Sequence, residues 1–72
     1  MEDFSSRIKA LRKERGMKQS EMAEVLGIKE RSYQCYEYHE RYPDVPGLVV
    51  IADYFNVSLD YLMGRSDVRE RR

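Results

Sequence analysis

The sequence predicts an all-α fold, a compact bundle of five short helices that contains a helix-turn-helix. Apolar residues recur at helical spacing in five separate segments, and no segment alternates apolar and polar residues as a β-strand does. Residues suited to helix ends separate these segments. A chain of 72 residues has room for one small domain. We therefore expect this domain over residues 1–64 and a frayed, charged C-terminal tail over residues 65–72.

The first predicted helix begins after Asp3, whose carboxylate can cap the free N–H groups of a helix start. Phe4, Ile8 and Leu11 follow at intervals of three and four residues, which places them on one apolar stripe. Gly16 comes after a basic run and can end the helix. Helix 1 is therefore expected between Asp3 and Gly16.

The second and third predicted helices are both short. Helix 2 carries an apolar set over residues 22–26 and ends at Gly27, which can take the positive φ that is common at helix C-termini. Helix 3 occupies about residues 30–37, where Tyr33 and Tyr36 stand three residues apart on one face.

The second half of the chain predicts a loop followed by two more helices. Pro43 marks the loop, because proline lacks a backbone donor and disfavours helical geometry in the residue before it. Asp44 can cap a fourth helix whose apolar stripe lies within residues 48–55, and Asn56 can end that helix in a left-handed conformation. Ser58 can cap the last helical turn.

The segment from Gln19 to Glu37 has the spacing of a helix-turn-helix. Two helices that cross at about 90 to 120° through a tight turn need a small residue, a flexible turn residue and apolar anchors on their inner faces. Ala23 and Gly27 supply the first two. The anchors are Met22, Leu26, Ile28, Tyr33 and Tyr36. An ordinary helical hairpin is the alternative that this spacing leaves open.

From about Arg7 to Gly64 the chain resembles the Cro and phage-repressor type of helix-turn-helix family, the XRE-like transcriptional regulators. The matching pieces are Ile8-Lys9-Ala10-Leu11-Arg12, Gln19, Ala23, Leu26-Gly27-Ile28, Tyr36-Glu37, Pro43, Ile51-Ala52-Asp53 and Val57-Ser58-Leu59-Asp60-Tyr61-Leu62. The resemblance implies a lambda-repressor-like DNA-binding domain, with helix 3 in the major groove and helix 2 across the DNA backbone. Lys18 and Lys29 depart from the Ser or Thr caps of this family, and His39 stands where a glycine often ends helix 3.

The resemblance also implies roles for particular residues. The residues placed to contact base edges are Lys29, Glu30, Arg31, Gln34 and Cys35. The residues placed to contact phosphates are Lys18, Gln19, Tyr38, Arg41 and Tyr42. Arg12 and Glu37 are implied to form a partly buried ion pair between helices 1 and 3. Because arginine can address guanine, glutamine adenine and glutamate the cytosine amino group, Arg31, Gln34 and Glu30 suit base contact.

The composition weighs against several other classes of function. Thirteen basic and thirteen acidic residues cancel, which weighs against a polybasic or membrane-surface binder, although basic charge prevails at both chain ends. Cys35 is the single cysteine, and there is neither a signal peptide nor a spanning stretch, so we expect a cytoplasmic protein. Cys35 and His39 alone do not complete a zinc site. We expect no metal, no cofactor, no small-molecule ligand and no enzyme activity.

The sequence therefore predicts a sequence-specific transcriptional regulator, a repressor that acts by occupying its operator. Its predicted partner is double-stranded DNA with a pseudo-palindromic site, bound by a homodimer. The predicted dimer interface is the C-terminal turn, with Leu59, Tyr61, Met63 and a contribution from Val68. A second class of function stays open, because balanced charge and several tyrosines also fit a protein-interaction module, such as an antitoxin-like protein that binds a partner.

Overall fold

The computed structural model describes residues 3–71 and contains five α-helices. The helices are α1 (Phe4–Glu14), α2 (Gln19–Leu26), α3 (Glu30–Glu37), α4 (Val45–Phe55) and α5 (Leu59–Leu62). No β-strand occurs among residues 3–71, and the predicted all-α fold is confirmed. Met1 and Glu2 of the predicted domain, and Arg72 of the predicted tail, lie outside the described residues.

Three helices begin at the side-chain caps that the sequence predicts. Asp3 accepts a hydrogen bond at 3.1 Å from the backbone N–H three residues later. Asp44 does the same at 2.9 Å and Ser58 at 3.0 Å. Each cap satisfies one of the N–H groups that have no partner within the helix, which stabilises a helix by about 1 kcal/mol.

Residues in the left-handed region end α2 and α4, as predicted. Gly27 has a φ of 67° and Asn56 a φ of 55°. At the first of these ends the Ile28 N–H reaches back to the Ala23 carbonyl at 3.0 Å, which closes the last turn of α2. His39 also has a positive φ, 62°, at the position where the family resemblance leads one to expect a glycine.

The core lies where the five helices meet, and α2 packs mainly against α3. The buried apolar residues that form it are Phe4, Ile8, Leu11, Met22, Ala23, Tyr33, Ile51, Ala52, Phe55, Val57 and Leu62. Burial of each large side chain contributes about 1.5 to 3 kcal/mol. In the described part of the chain, no helix is both long enough and apolar enough to cross a membrane.

The C-terminal segment differs from the prediction. Residues 65–71 form no helix, but they are not frayed. Arg69 donates two hydrogen bonds to the Glu14 carboxylate on α1, at 2.9 and 2.8 Å. The buried Arg7 guanidinium, also on α1, bonds the Asp67 carboxylate at 2.9 Å. Opposite charges on α1 therefore hold a segment whose own sequence has no helical pattern.

Candidate nucleic-acid interface

The junction of α2 and α3 forms the predicted helix-turn-helix around Gly27. Lys18 is the N-cap residue before α2 and Lys29 the N-cap residue before α3, and neither lysine side chain caps its helix. At the start of α2, the Lys18 N–H donates to the Glu21 carboxylate at 2.8 Å. Glu21 therefore makes one of the two hydrogen bonds of a capping box, the bond from its side chain to the N–H of the residue before the helix. Both lysine side chains stay exposed.

The outer face of α3 holds the residues predicted to contact bases. Glu30 and Arg31 are exposed, and Gln34 and Cys35 are half-buried. These four positions share a face because residues three and four apart are neighbours on a helix. Lys29, also exposed, lies at the N-terminal end of that face. The structure therefore gathers the whole predicted set on the outer side of α3.

The inner face of α3 holds a buried ion pair with α1. Arg12 Nε lies 2.7 Å from Glu37 Oε2, and Arg12 Nη2 lies 3.2 Å from Glu37 Oε1. Arg12 Nη1 also donates to the Met17 carbonyl at 2.6 Å. The Tyr33 hydroxyl donates to the same Glu37 carboxylate, a contact that the sequence does not indicate. Because the Glu37 side chain is 0% exposed, its charge depends on these donors.

Hydrogen bonds fix the protonation of this buried group. Burial by itself raises the pKa of the Glu37 carboxyl, but hydrogen bonds from Arg12, Tyr33 and Gln19 outweigh burial and hold that pKa below its usual value. The hydrogen bond to Glu37 raises the pKa of Arg12. Burial, assisted by the hydrogen bond to Glu37, raises the pKa of Tyr33 well above its usual value. Glu37 is therefore an ionised acceptor, with Arg12 and Tyr33 as protonated donors.

Gln19 connects the buried ion pair to the outer face of α3. Its Nε2 donates to Glu37 Oε1 at 3.1 Å and approaches the Tyr38 hydroxyl at 3.5 Å. Its Oε1 accepts from Gln34 Nε2 at 3.2 Å, and Gln34 Nε2 in turn lies 3.5 Å from Glu30 Oε2. The family resemblance implies a phosphate contact for Gln19. In the structure both ends of its amide contact other side chains, so the start of α2 offers a phosphate its backbone N–H groups and helix dipole.

The other residues predicted to contact phosphates lie at the end of α3 and in the loop that follows. Tyr38 is exposed and lies next to Gln19, so the start of α2 meets the end of α3. Arg41 and Tyr42 are exposed in the loop between α3 and α4. The Tyr42 ring packs against Phe4 with 5.7 Å between ring centroids, which anchors this loop to the core.

The residues predicted to form a dimer interface differ in their exposure. Leu59 and Val68 are each 43% exposed, and both line one open cleft of about 400 Å³. Tyr61 and Met63 are half-buried and pack against the core. The Arg7 guanidinium lies 4.0 Å above the Tyr61 ring. Of the predicted set, Leu59 and Val68 therefore present the most free apolar surface.

Sequence reasoning missed a polar residue that joins α1 to α3. Ser5 is 1% exposed, and its hydroxyl donates to the Tyr36 carbonyl at 2.7 Å. The sequence contains a signal for its burial, because Ser5 comes three residues before Ile8, and Arg12 comes four residues after Ile8. This spacing places all three on the inner face of α1.

The two residues with metal-binding chemistry on and after α3 are used differently. Cys35 is a free, half-buried thiol, and His39 Nδ1 lies 3.3 Å from Asp3 Oδ2. Within residues 3–71, no three His, Cys, Asp or Glu side chains form a group that could hold a metal ion. The candidate site therefore consists of hydrogen-bonding and charged side chains.

This geometry defines a class of protein: a small helical domain that locks one face of a helix to its core and exposes the opposite polar face to solvent. A family model described as helix-turn-helix matches residues 8–62. The chain belongs to this helix-turn-helix family, and the family resemblance is confirmed.

Individual relatives carry related names. The chain is 42% identical over 60 residues to the uncharacterized HTH-type transcriptional regulator YqaE of Bacillus subtilis, which covers 83% of this chain and 52% of YqaE. It is 45% identical over 47 residues to the cryptic phage CTXphi transcriptional repressor RstR of Vibrio cholerae, which covers 65% of this chain and 42% of RstR. The chain therefore spans about half the length of these curated relatives.

A solved structure shares the fold. The P22 c2 repressor, determined in complex with a synthetic operator, superposes with a TM-score of 0.83 at 23% sequence identity, over 92% of this chain and 100% of that chain. At this identity the likeness concerns the fold. It confirms the predicted repressor-like arrangement of helices.

Proposed function

We propose that this chain is a sequence-specific DNA-binding transcriptional regulator, a repressor that occupies its operator with α3 in the major groove. The observation that carries the proposal is the division of α3 into an inner face locked to α1 and an outer face of exposed donors and acceptors. Such a regulator acts in the cytoplasm, where its operator lies, and has no catalytic step. The names of the relatives, a transcriptional regulator and a repressor, support this class of function.

The outer face of α3 has the chemistry that base contact needs. The Arg31 guanidinium can donate to guanine O6 and N7, and Glu30 can accept from cytosine N4. Lys29 adds a positive charge at the same helix end, where exposed lysine favours a phosphate. Exposure matters here, because a side chain that is buried within its own protein cannot reach a base edge.

Phosphate contacts would come from the region where α2 begins and α3 ends. Lys18 is exposed at the start of α2 and Tyr38 at the end of α3, and Gln19 connects the two regions. Arg41 is exposed in the following loop. Contacts of this kind fix the register of a protein on DNA and make its affinity depend on salt.

The test is selection of bound sequences from a random DNA pool, followed by binding measurements across a salt gradient. We expect a defined preferred sequence, and Arg31→Ala should relax the preference at about one base pair while lowering affinity by roughly 1 to 3 kcal/mol. Lys9→Ala is the matched control, because Lys9 is an exposed cation on α1. It should leave the preferred sequence unchanged. A chain that binds all sequences equally at low salt would overturn the proposal.

The proposal includes a homodimer on a pseudo-palindromic operator, since one short helix contacts too few base pairs for genomic selectivity. The exposed Leu59 and Val68 would lie in the interface, with Tyr61 and Met63 behind them. The interface would be small, so self-association in solution should be weak and assembly on DNA cooperative. Sedimentation on the selected DNA checks this. A single copy saturating a non-palindromic site, unaffected by Leu59→Glu, would contradict the dimer.

One observation favours a second candidate function, a protein-interaction module. On α4, Val45 is 70% exposed and Val50 48% exposed. Val50 also lines a cleft of about 390 Å³, together with Leu26 and Ile28 among others. Apolar surface of this kind suits a protein partner. Passage through a heparin or non-specific DNA column without salt-dependent retention would favour this second function.

A further inference from the structure

We propose that Gln19 is a positioning residue that determines specificity, because it contacts both the buried Arg12–Glu37 pair and Gln34. Its contact with Glu37 fixes the orientation of its own amide, and that amide in turn fixes the orientation of the Gln34 amide. Gln34 then offers a base edge a hydrogen-bond acceptor and no free donor. This inference rests on the proposed function, in which the outer face of α3 contacts bases. It goes beyond that function by specifying the chemical group of a base that the outer face of α3 selects.

The polarity begins at the Glu37 carboxylate. Arg12 donates to it at 2.7 and 3.2 Å, and the Tyr33 hydroxyl donates to it as well. An ionised carboxylate can only accept hydrogen bonds. The end of the Gln19 amide that lies 3.1 Å from Glu37 must therefore be the nitrogen, whatever else surrounds that side chain.

The planar amide of Gln19 carries this orientation outward. With Nε2 directed at Glu37, the oxygen Oε1 is the atom that faces Gln34. That oxygen can only accept, so Gln34 must direct its own nitrogen toward it, at 3.2 Å. The opposite orientation of Gln34 would place oxygen against oxygen. The charge of one buried group thus orients two successive amides.

Glu30 occupies the remaining donor of Gln34. Its Oε2 lies 3.5 Å from Gln34 Nε2, and a carboxylate again requires a donor opposite it. Both hydrogens of the Gln34 nitrogen therefore point at Gln19 and Glu30. The polar atom of Gln34 that stays available to DNA is the oxygen Oε1, next to the acceptor oxygens of Glu30.

A surface of acceptors selects bases that present donors. In the major groove, the donors are the adenine N6 amine and the cytosine N4 amine, whereas guanine and thymine present acceptors there. An unconstrained glutamine would contact adenine through both N6 and N7. In the orientation imposed through Gln19, Gln34 can accept a hydrogen bond from the exocyclic amine of the base and cannot donate one to adenine N7.

Base analogues in the selected operator test this prediction. The base pair contacted by Gln34 is first located as the position whose preference changes in Gln34→Ala. If that base is adenine, replacing it with purine, which lacks the N6 amine, should weaken binding about tenfold. Replacing it with 7-deazaadenine, which lacks the N7 acceptor, should change binding less than about twofold. If it is cytosine, the analogue without the N4 amine should weaken binding about tenfold. Equal losses with both adenine analogues, or a preference for guanine or thymine, would overturn the proposal.

The role of Gln19 is tested by Gln19→Met, which keeps the length of the side chain and removes its amide. Gln34 then loses the shorter of the two contacts that orient its amide and keeps only the 3.5 Å contact with the exposed Glu30, so the preference for an exocyclic amine at its base pair should fall about fivefold or more. Lys18→Met is the matched control, because Lys18 is the exposed neighbour and makes at most a phosphate contact. It should weaken all sequences equally. If Gln19→Met also weakens all sequences equally, Gln19 serves a phosphate and the proposal is wrong.

Two results separate this inference from the proposed function. A chain without any sequence preference would contradict the proposed function itself. A chain whose preference changes in Gln34→Ala but not in Gln19→Met would retain the proposed function and overturn only the role of Gln19. Circular dichroism and thermal unfolding of each variant keep these results separate from a loss of fold.

Discussion

The two faces of α3 use charged side chains for different purposes. On the inner face, Glu37 is buried and takes hydrogen bonds from Arg12 and Tyr33. On the outer face, Lys29 and Arg31 remain exposed. A buried charge is costly unless it is fully paired, so it fixes one arrangement of the helices. An exposed charge contributes little to folding and stays available to a partner. Stability therefore depends mainly on the inner face of this helix and binding on the outer face, and Gln19 connects the two.

The largest expected effect comes from breaking the inner face. Arg12→Ala leaves the buried Glu37 carboxylate without its cation, and we expect the free energy of unfolding to fall by about 3 kcal/mol. Denaturant unfolding measures this, with Lys13→Ala, an exposed neighbour, as the control that should stay within about 0.5 kcal/mol of the parent. A double-mutant cycle with Glu37→Ala that gave near-zero coupling would show that the pair does not hold α1 to α3.

Acid should weaken the same face. The pKa of Glu37 lies below its usual value of 4.5 in the folded chain. Its stabilisation is therefore complete above about pH 5 and is lost as the pH falls through the lowered pKa of the folded state. Thermal unfolding between pH 7 and pH 3 should show this loss. In the folded Glu37→Gln variant, the unfolding temperature should depend less on pH over this range. If its pH dependence is unchanged, other carboxylates cause the acid sensitivity.

A smaller effect is expected on the outer face, and it should appear in binding rather than stability. The Glu30 carboxylate repels phosphates and can offer a base only acceptor atoms, so Glu30→Gln should bind DNA about threefold more tightly and less selectively. Glu40→Gln removes the same charge from an exposed site in the next loop and is the matched control. It should tighten binding without changing the preferred sequence. Unchanged affinity and unchanged preference in Glu30→Gln would mean that this carboxylate faces solvent.

The smallest expected effect lies at the end of α3. His39 has a φ of 62°, a region where residues with a Cβ are strained and glycine is not. His39→Gly should therefore raise the free energy of unfolding by at most about 1 kcal/mol, because glycine also loses more backbone entropy on folding. His39→Ala keeps the strain and should give no gain. If alanine stabilised the chain as much as glycine, the histidine side chain rather than its backbone would be unfavourable.

Local features of the fold could be predicted from the sequence, and long-range polar contacts could not. Asp3 and Ser58 cap their helices because the cap and its N–H partner lie three residues apart, a distance that sequence reasoning covers. The contact of Arg69 with Glu14 joins residues 55 positions apart, and neither residue belongs to a recognisable pattern. The sequence therefore predicts a frayed segment around Arg69.

The candidate site shows the same division. Helical spacing alone places Glu30 and Gln34 on the outer face of α3, and the resemblance supplies the Arg12–Glu37 pair. Neither indicates that Gln19 contacts both Glu37 and Gln34. That contact depends on how α2 crosses α3, which is set by packing of the whole core. A single residue can therefore be placed correctly on a helix while its hydrogen-bond partners stay unpredicted.

The locked inner face of α3 has a consequence for the mechanics of the operator. A helix tied to α1 through Glu37 and through the Ser5 contact to the Tyr36 carbonyl has little freedom to tilt when it meets a mismatched groove. In the proposed dimeric complex, the duplex would have to bend or twist to bring both half-sites into register, at a cost set by the stiffness of its base-pair steps. If that proposal holds, we expect the base pairs between the two half-sites to influence affinity through their deformability.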